Sequence, residues 1–164
     1  MKPAAPPALR RATVADAAAA LQWTPAADAL HRWAGPSAGF PTTPERFWRE
    51  IHVKGYVTFA LEFPGEGLAG FGQVRLRDET FGHLARIVVD PAQRGQGHGR
   101  TLCHALMREA LRLHPGITGF SLYVFPANAP ALALYRSLGF VERGLDEEHG
   151  CLLMAAPRSG PPAP

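Results

Sequence analysis

The spacing of apolar residues changes several times along the chain, and each change marks an element. Leu102, Ala105, Leu106, Ala110 and Leu113 recur at three- and four-residue steps, which predicts a helix with one buried face. Just before it, Leu84, Ile87, Val88 and Val89 form an apolar, β-branched run ending at Asp90-Pro91, so His83–Val89 reads as a strand. Upstream, Ala8–Ala12 is a short strand, and Thr13 with Asp16 three residues later starts a helix from Val14 to about Trp23. Pro25 restarts the chain, and Ala26–Trp33 adds a further turn or two of helix. After a Gly35–Pro41 loop, Thr43-Pro44-Glu45 opens another helix reaching about His52. Tyr56–Glu62 and Leu68–Leu76, joined by Phe63-Pro64-Gly65-Glu66-Gly67, read as a hairpin.

Beyond the central helix, Pro115-Gly116 breaks the chain and Gly119–Phe125 returns as a strand. A helical connection makes this strand parallel to His83–Val89. Ala129–Leu138 is the second flanking helix, and Phe140–Arg143 with Gly150–Ala155 forms a last hairpin around Asp146-Glu147-Glu148. The sum is an α/β (α+β) chain with a mixed, twisted sheet of six to seven strands and flanking helices.

Composition narrows the setting. The 164 residues suffice for one domain with a substantial core, expected at residues 8–156. Proline- and alanine-rich ends, residues 1–7 and 157–164, are expected to be disordered. A net charge of +3 with dispersed arginines excludes the basic stripe that nucleic acid requires. Two cysteines, Cys103 and Cys151, are too few for a disulfide framework and suit a reducing cytoplasm. There is no apolar run long enough to span a membrane, and the N-terminus, one lysine followed by proline and alanine, lacks a signal-peptide core. A soluble, cytoplasmic protein without a metal site is expected, and a homodimer is left open.

The candidate chemistry lies between the His83–Val89 strand and the central helix. Gly95, Gly97 and Gly99 carry no Cβ, so backbone amides there can turn inward together at a helix N-terminus and hold a phosphate or pyrophosphate. Two familiar phosphate loops fail the spacing. G-x-G-x-x-G ends on Arg100 or Leu102, and the lysine of G-x-x-x-x-G-K-[ST] is missing. What stands there is R-x-x-G-x-G, Arg94 to Gly99, and downstream Asn128-Ala-Pro-Ala131-Leu-Ala-Leu134-Tyr135-Arg-Ser-Leu-Gly139-Phe140. In this order and at this distance, the two blocks resemble the GNAT superfamily of acyl-CoA-dependent N-acetyltransferases, closely over about Leu68–Phe140.

The resemblance implies a single-domain GNAT fold whose sheet splays between the strands before and after the central helix. It implies acetyl-CoA as co-substrate, with pantetheine lying in that gap against the backbone of Ile87, Val88 and Val89. The diphosphate would fall to Arg94, Gly95, Gln96, Gly97, His98, Gly99 and Arg100, with His98 contributing only its amide. Asn128 and Ala131 would flank the cofactor arm, and Asn128 also reads as a helix N-cap before Ala129-Pro130.

Acetyl transfer needs a neutral amine, donors for the oxyanion and a proton for the departing thiolate. In the resemblance Tyr135 is the general acid, a role that a phenol of pKa near ~10 fits at neutral pH. The glutamate that one branch carries five residues before the asparagine is replaced here by Tyr123. His83 occupies the position at which other relatives place a base, and an imidazole of pKa near ~6.5 suits it. Glu62, Glu79 and water are the alternatives. The acceptor, an amine on a small molecule, peptide or protein, would meet the Trp23–Trp48 region and the Leu145–His149 turn. Trp23, Trp33, Phe40, Phe47 and Trp48 there read as pocket or, more often, core. Cys103 inside a helix is no nucleophile, so direct transfer is expected. The alternative is a catalytically silent acyl-CoA sensor or interaction domain.

Overall fold

The computed structural model describes residues 5–158. The elements are β1 (Ala8–Arg11), α1 (Val14–Trp23), α2 (Ala27–Ala34), α3 (Pro44–Ile51), β2 (Val57–Phe63), β3 (Gly67–Arg77) and β4 (Phe81–Val89). They continue with α4 (His98–Leu113), β5 (Gly119–Val124), α5 (Ala129–Ser137), β6 (Val141–Asp146) and β7 (Cys151–Pro157). One seven-stranded sheet runs in the order β1-β2-β3-β4-β5-β7-β6. Its only parallel pair is β4 with β5, joined through α4; the other neighbours are antiparallel.

Each face of the sheet buries a different set of helices. On one face, Leu102, Leu106 and Ala110 of α4 and Leu132 and Tyr135 of α5 pack on Leu84, Phe120 and Met154. Glycines make this close seating geometrically feasible: a Cβ on Gly72 would stand 2.7 Å from Leu106, and one on Gly82 would stand 2.8 Å from Ala110. On the other face, α1, α2 and α3 cover Phe71 and Val88 with Ala17, Ala20, Leu30, Phe47 and Ile51.

Local chemistry fixes the helix starts. Thr43 accepts a hydrogen bond from Arg46 N at 3.2 Å, with Pro44 in the first turn. At α1 the Asp16 carboxylate accepts from Thr13 N at 2.7 Å and pairs with Arg10, which also reaches Glu62 at 2.6 Å. Strand β4 carries a bulge between its pairings with Phe71 and Gln73, where Arg86 adopts φ of 49°. That extra residue changes the alternation: Leu84, Ile87 and Val89 pack with α4, while Val88 alone turns to α1–α3.

Some boundaries differ from the sequence expectation. Pro157, expected in the tail, pairs with Gly119, and Arg158 donates to Pro115 O at 2.6 Å and Ile117 O at 3.2 Å. The sheet therefore runs past the boundary at 156. Ala5–Pro7 form no strand or helix, and residues 1–4 and 159–164 of the expected disordered ends lie outside the described residues. The final hairpin is longer than expected because β6 continues to Asp146.

Candidate active site

The parallel pairing of β4 and β5 stops early. It joins Phe81–Leu84 to Gly119–Leu122, and beyond it Ala85–Val89 has no ladder partner on the β5 side. Two cavities open along this edge. One, of about 500 Å³, is lined by Ile87, Val88 and Val89, by the Arg94–Gly99 turn, and by Asn128, Ala131, Leu134 and Tyr135 of the α5 region. The other, of about 360 Å³, is lined by Leu84, Ala85 and Arg86 and by Tyr123–Phe125. Arg32 and Trp33 of α2 belong to both. Trp33 is held edge-on against Phe47 and Phe71, and its indole N–H donates to Thr24 Oγ1 at 2.8 Å.

The first cavity ends on a helix terminus built for an anion. Gly97 is the N-cap of α4 at φ 81°, a left-handed conformation that side chains rarely adopt, and Gly95 has φ 77°. No side chain caps the helix and no acidic residue stands in its first turn, so its leading amides keep their positive field. Arg94 lines the same end, and among the described residues no carboxylate lines the cavity. Gly99 lies inside the helix, where a Cβ would stand 3.2 Å from Leu134; its role is the close approach of α4 and α5.

Three of the expected loop residues are placed otherwise. Gln96 is exposed and Arg100 donates to Ser137 Oγ at 2.6 Å, and neither lines the cavity. His98 is the first residue of α4 rather than a loop position. Its ring is buried, stacked on Phe63 at 4.0 Å, and its Nε2 is enclosed without a hydrogen-bond partner. The residue contributes more than an amide, a fact hidden from sequence because Phe63 is a distant strand residue.

Tyr135 and Asn128 stand across the cleft on α5. Tyr135 is 7% exposed, and burial, with Cys103 nearby, pushes its phenol pKa upward. The hydroxyl therefore stays protonated. Asn128 caps α5, accepting from Ala131 N at 3.4 Å through Oδ1, which leaves its NH₂ group unused by the cap. Cys103 is fully buried and desolvation pushes its thiol up to about 12, which removes it as a nucleophile.

His83 lacks the ordinary imidazole pKa that its expected role as the base relies on. It lies 2% exposed between Arg75 of β3 and Ser121 of β5, hydrogen bonded to Ser121 Oγ at 2.8 Å through Nδ1. Burial, then the charges of Arg75, Arg77 and Arg86, hold its pKa down to about 3. An imidazole this weak does not take a proton from an ammonium at neutral pH. Neither Glu62, paired to Arg10, nor Glu79, in the β3–β4 turn, lines either cavity.

Sequence reasoning missed the arginines of the second cavity. Arg86 interrupts an otherwise apolar strand, which was the available signal. Of the aromatics read as pocket or, more often, core, Trp23 and Trp33 line the first cavity, Phe47 is core, Trp48 lies tilted against His52 and Phe40 is exposed. Asp146 and His149 of the expected acceptor turn do line the second cavity.

Comparison with known proteins converges on one group. The family model described as "Acetyltransferase (GNAT) family" matches residues 27–140. The mycothiol acetyltransferase of Catenulispora acidiphila is 37% identical over 95 residues, covering 54% of this chain and 29% of that protein. The match thus spans under a third of that relative's length. The [ribosomal protein bS18]-alanine N-acetyltransferase of Escherichia coli K12 is 36% identical over 114 residues, covering 63% of this chain and 73% of that protein. In three dimensions, spermidine N-acetyltransferase from Vibrio cholerae, solved with CoA and spermine, superposes with a TM-score of 0.76 at 20% identity. That superposition covers 94% of this chain and 96% of the other, and carries the fold alone. No helix among the described residues is long and apolar enough to cross a membrane, and no described cluster of His, Cys, Asp or Glu is arranged to hold a metal.

Proposed function

The chain belongs to the acetyltransferase (GNAT) family, and from that premise we propose that it transfers the acetyl group of acetyl-CoA to a primary amine by direct attack in a ternary complex. The observation that carries this reading is the unpaired edge of β4 at Ala85–Val89, which faces a cleft running from Tyr135 to the uncapped start of α4. A pantetheine arm has amides that complement such an edge as a further strand does. In this reading the backbone of Ile87, Val88 and Val89 binds the arm, and Asn128 and Ala131 flank it. Amides of Gly95 to Gly99 take the diphosphate, with Arg94 supplying charge.

Tyr135 donates its proton to the departing thiolate. A phenol whose ionisation is suppressed by burial arrives at that step protonated, as a general acid must. With His83 held neutral and weak, the ammonium proton leaves through water rather than to the imidazole. The relatives' names describe acceptors as different as spermidine and a ribosomal-protein alanine, so only the amine itself is carried over here. We place the reaction in the cytoplasm.

Free-thiol release from acetyl-CoA, followed over amines, polyamines, amino acids and peptide N-termini, tests the proposal. Release that depends on one acceptor class is expected. Calorimetric binding of CoA with no turnover on any member would replace the transferase by an acyl-CoA sensor.

A further inference from the structure

We propose that the second cavity selects an acceptor bearing an anionic group, a carboxylate or a phosphate, beside its reactive amine. This inference rests on the transferase reading and names the substrate class of the same cleft. Four cations line the cavity, Arg32, Lys54, Arg75 and Arg86, against one carboxylate, Asp146. That carboxylate is already engaged: it accepts from His149 through the backbone N–H at 3.2 Å and meets the ring Nδ1 at 3.0 Å.

Arg75 and Arg86 are the centre of the argument. Their guanidinium carbons lie 5.2 Å and 5.0 Å from the centroid of Tyr56, so one ring supports both charges. Neither arginine has a carboxylate partner among the described residues. Arg86 is held by neutral acceptors only: Ala34 O at 2.9 Å, Gln73 Oε1 at 2.7 Å and Ser37 Oγ at 3.2 Å. Three of its five N–H groups are thereby used and two remain. Arg75 makes one long contact, to Leu76 O at 3.4 Å, and its Nε is buried without any partner.

The backbone has been bent to keep this arrangement. Arg86 occupies the β4 bulge at φ 49°, a conformation that a long side chain adopts at a cost, and it does so where the sheet opens. A relay of hydrogen bonds from the Trp48 carbonyl through His52, Thr58 and Gln73 fixes the Arg86 fork. Positive charge that is partly desolvated and unmatched by carboxylates is what an incoming anion stabilises. A polyamine would meet like charge instead.

Matched acceptors separate these outcomes. Thiol release from acetyl-CoA is measured with glycine against glycinamide, O-phosphoethanolamine against ethanolamine, and spermidine. Calorimetry of the CoA-bound protein with N-acetylglycine and N-acetylglycinamide reads the same preference without turnover. One anionic member, carboxylate or phosphate, should exceed its neutral match by about 10-fold or more in kcat/KM or affinity, and the pair that does so identifies the anion. In Arg75→Gln that ratio should fall toward unity, and Arg86→Lys, which keeps the charge but not the fork, should lower it in part. Equal use of the neutral members, a preference for spermidine, or no difference between the two acetylated probes overturns the inference. Failure of the protein to bind CoA at all would instead strike the transferase reading.

Discussion

The two cavities of the cleft are made in different ways. The first is made largely by backbone: a strand edge, a glycine turn and a helix terminus within Ile87–Gly99, faced by the turn-and-helix segment at Asn128–Tyr135 and walled by Trp23 and Trp33 from α1 and α2. The second is made by side chains from Arg32 through Cys151, brought together from α2, the α3–β2 loop, β3, β4, β5 and the β6–β7 hairpin. A backbone site tolerates sequence change and keeps its ligand. A side-chain site changes its ligand whenever its side chains change, so one cleft can join a constant co-substrate to a variable acceptor.

The largest expected effect is at the side chain that the proposed chemistry of the first cavity depends on. Tyr135→Phe removes the proton donor and little volume, so kcat should fall by about 10²- to 10⁴-fold while CoA affinity measured by calorimetry stays nearly constant. An unchanged kcat would remove Tyr135 from the chemistry.

Next in size is a stability effect that reads the burial of His83, and behind it the arginine charges, beside the second cavity. His83 titrates near 3 in the fold and near ~6.5 when unfolded, so between these values the unfolded chain holds the extra proton. Its contribution to stability is therefore lost as pH falls below about 6.5, by about 1.4 kcal/mol for each pH unit. Urea unfolding at pH 7 and pH 4.5 should show this loss, on the order of 2–3 kcal/mol, reduced in His83→Gln. Equal pH dependence in both proteins would mean that His83 is not the shielded group described here.

The smallest effect is expected at Gln96. Its side chain is exposed and away from the cavity, so Gln96→Ala should leave KM for acetyl-CoA within about twofold. A large rise would show that the glycine turn binds through side chains after all.

The same difference explains what the sequence made legible. Elements came through because their signals are local: the steps of α4, the Thr43-Pro44 start of α3, and the two motif blocks that lie on one cavity. His98 and Arg100 were misjudged because their side chains are claimed by Phe63 and Ser137, neither adjacent in sequence. His83 was misjudged because strand pairing on both sides buries it, and Arg75, the first of the arginines that further depress its pKa, lies opposite it on β3 rather than beside it in the chain. The second cavity had no motif to betray it, since its four cations are single residues on α2, the α3–β2 loop, β3 and β4.

The extra residue of β4 behaves as a frame shift written into a strand. Removing it would restore strict two-residue alternation with Ile87 and Val89 still on the α4 side and Val88 still toward the three-helix layer, and the crevice would lose only the guanidinium that the bulge inserts. One codon thus separates a plain ladder from one that carries a charge into the crevice while leaving its apolar lining in place, which makes length at this point an inherited variable that decides what the crevice admits.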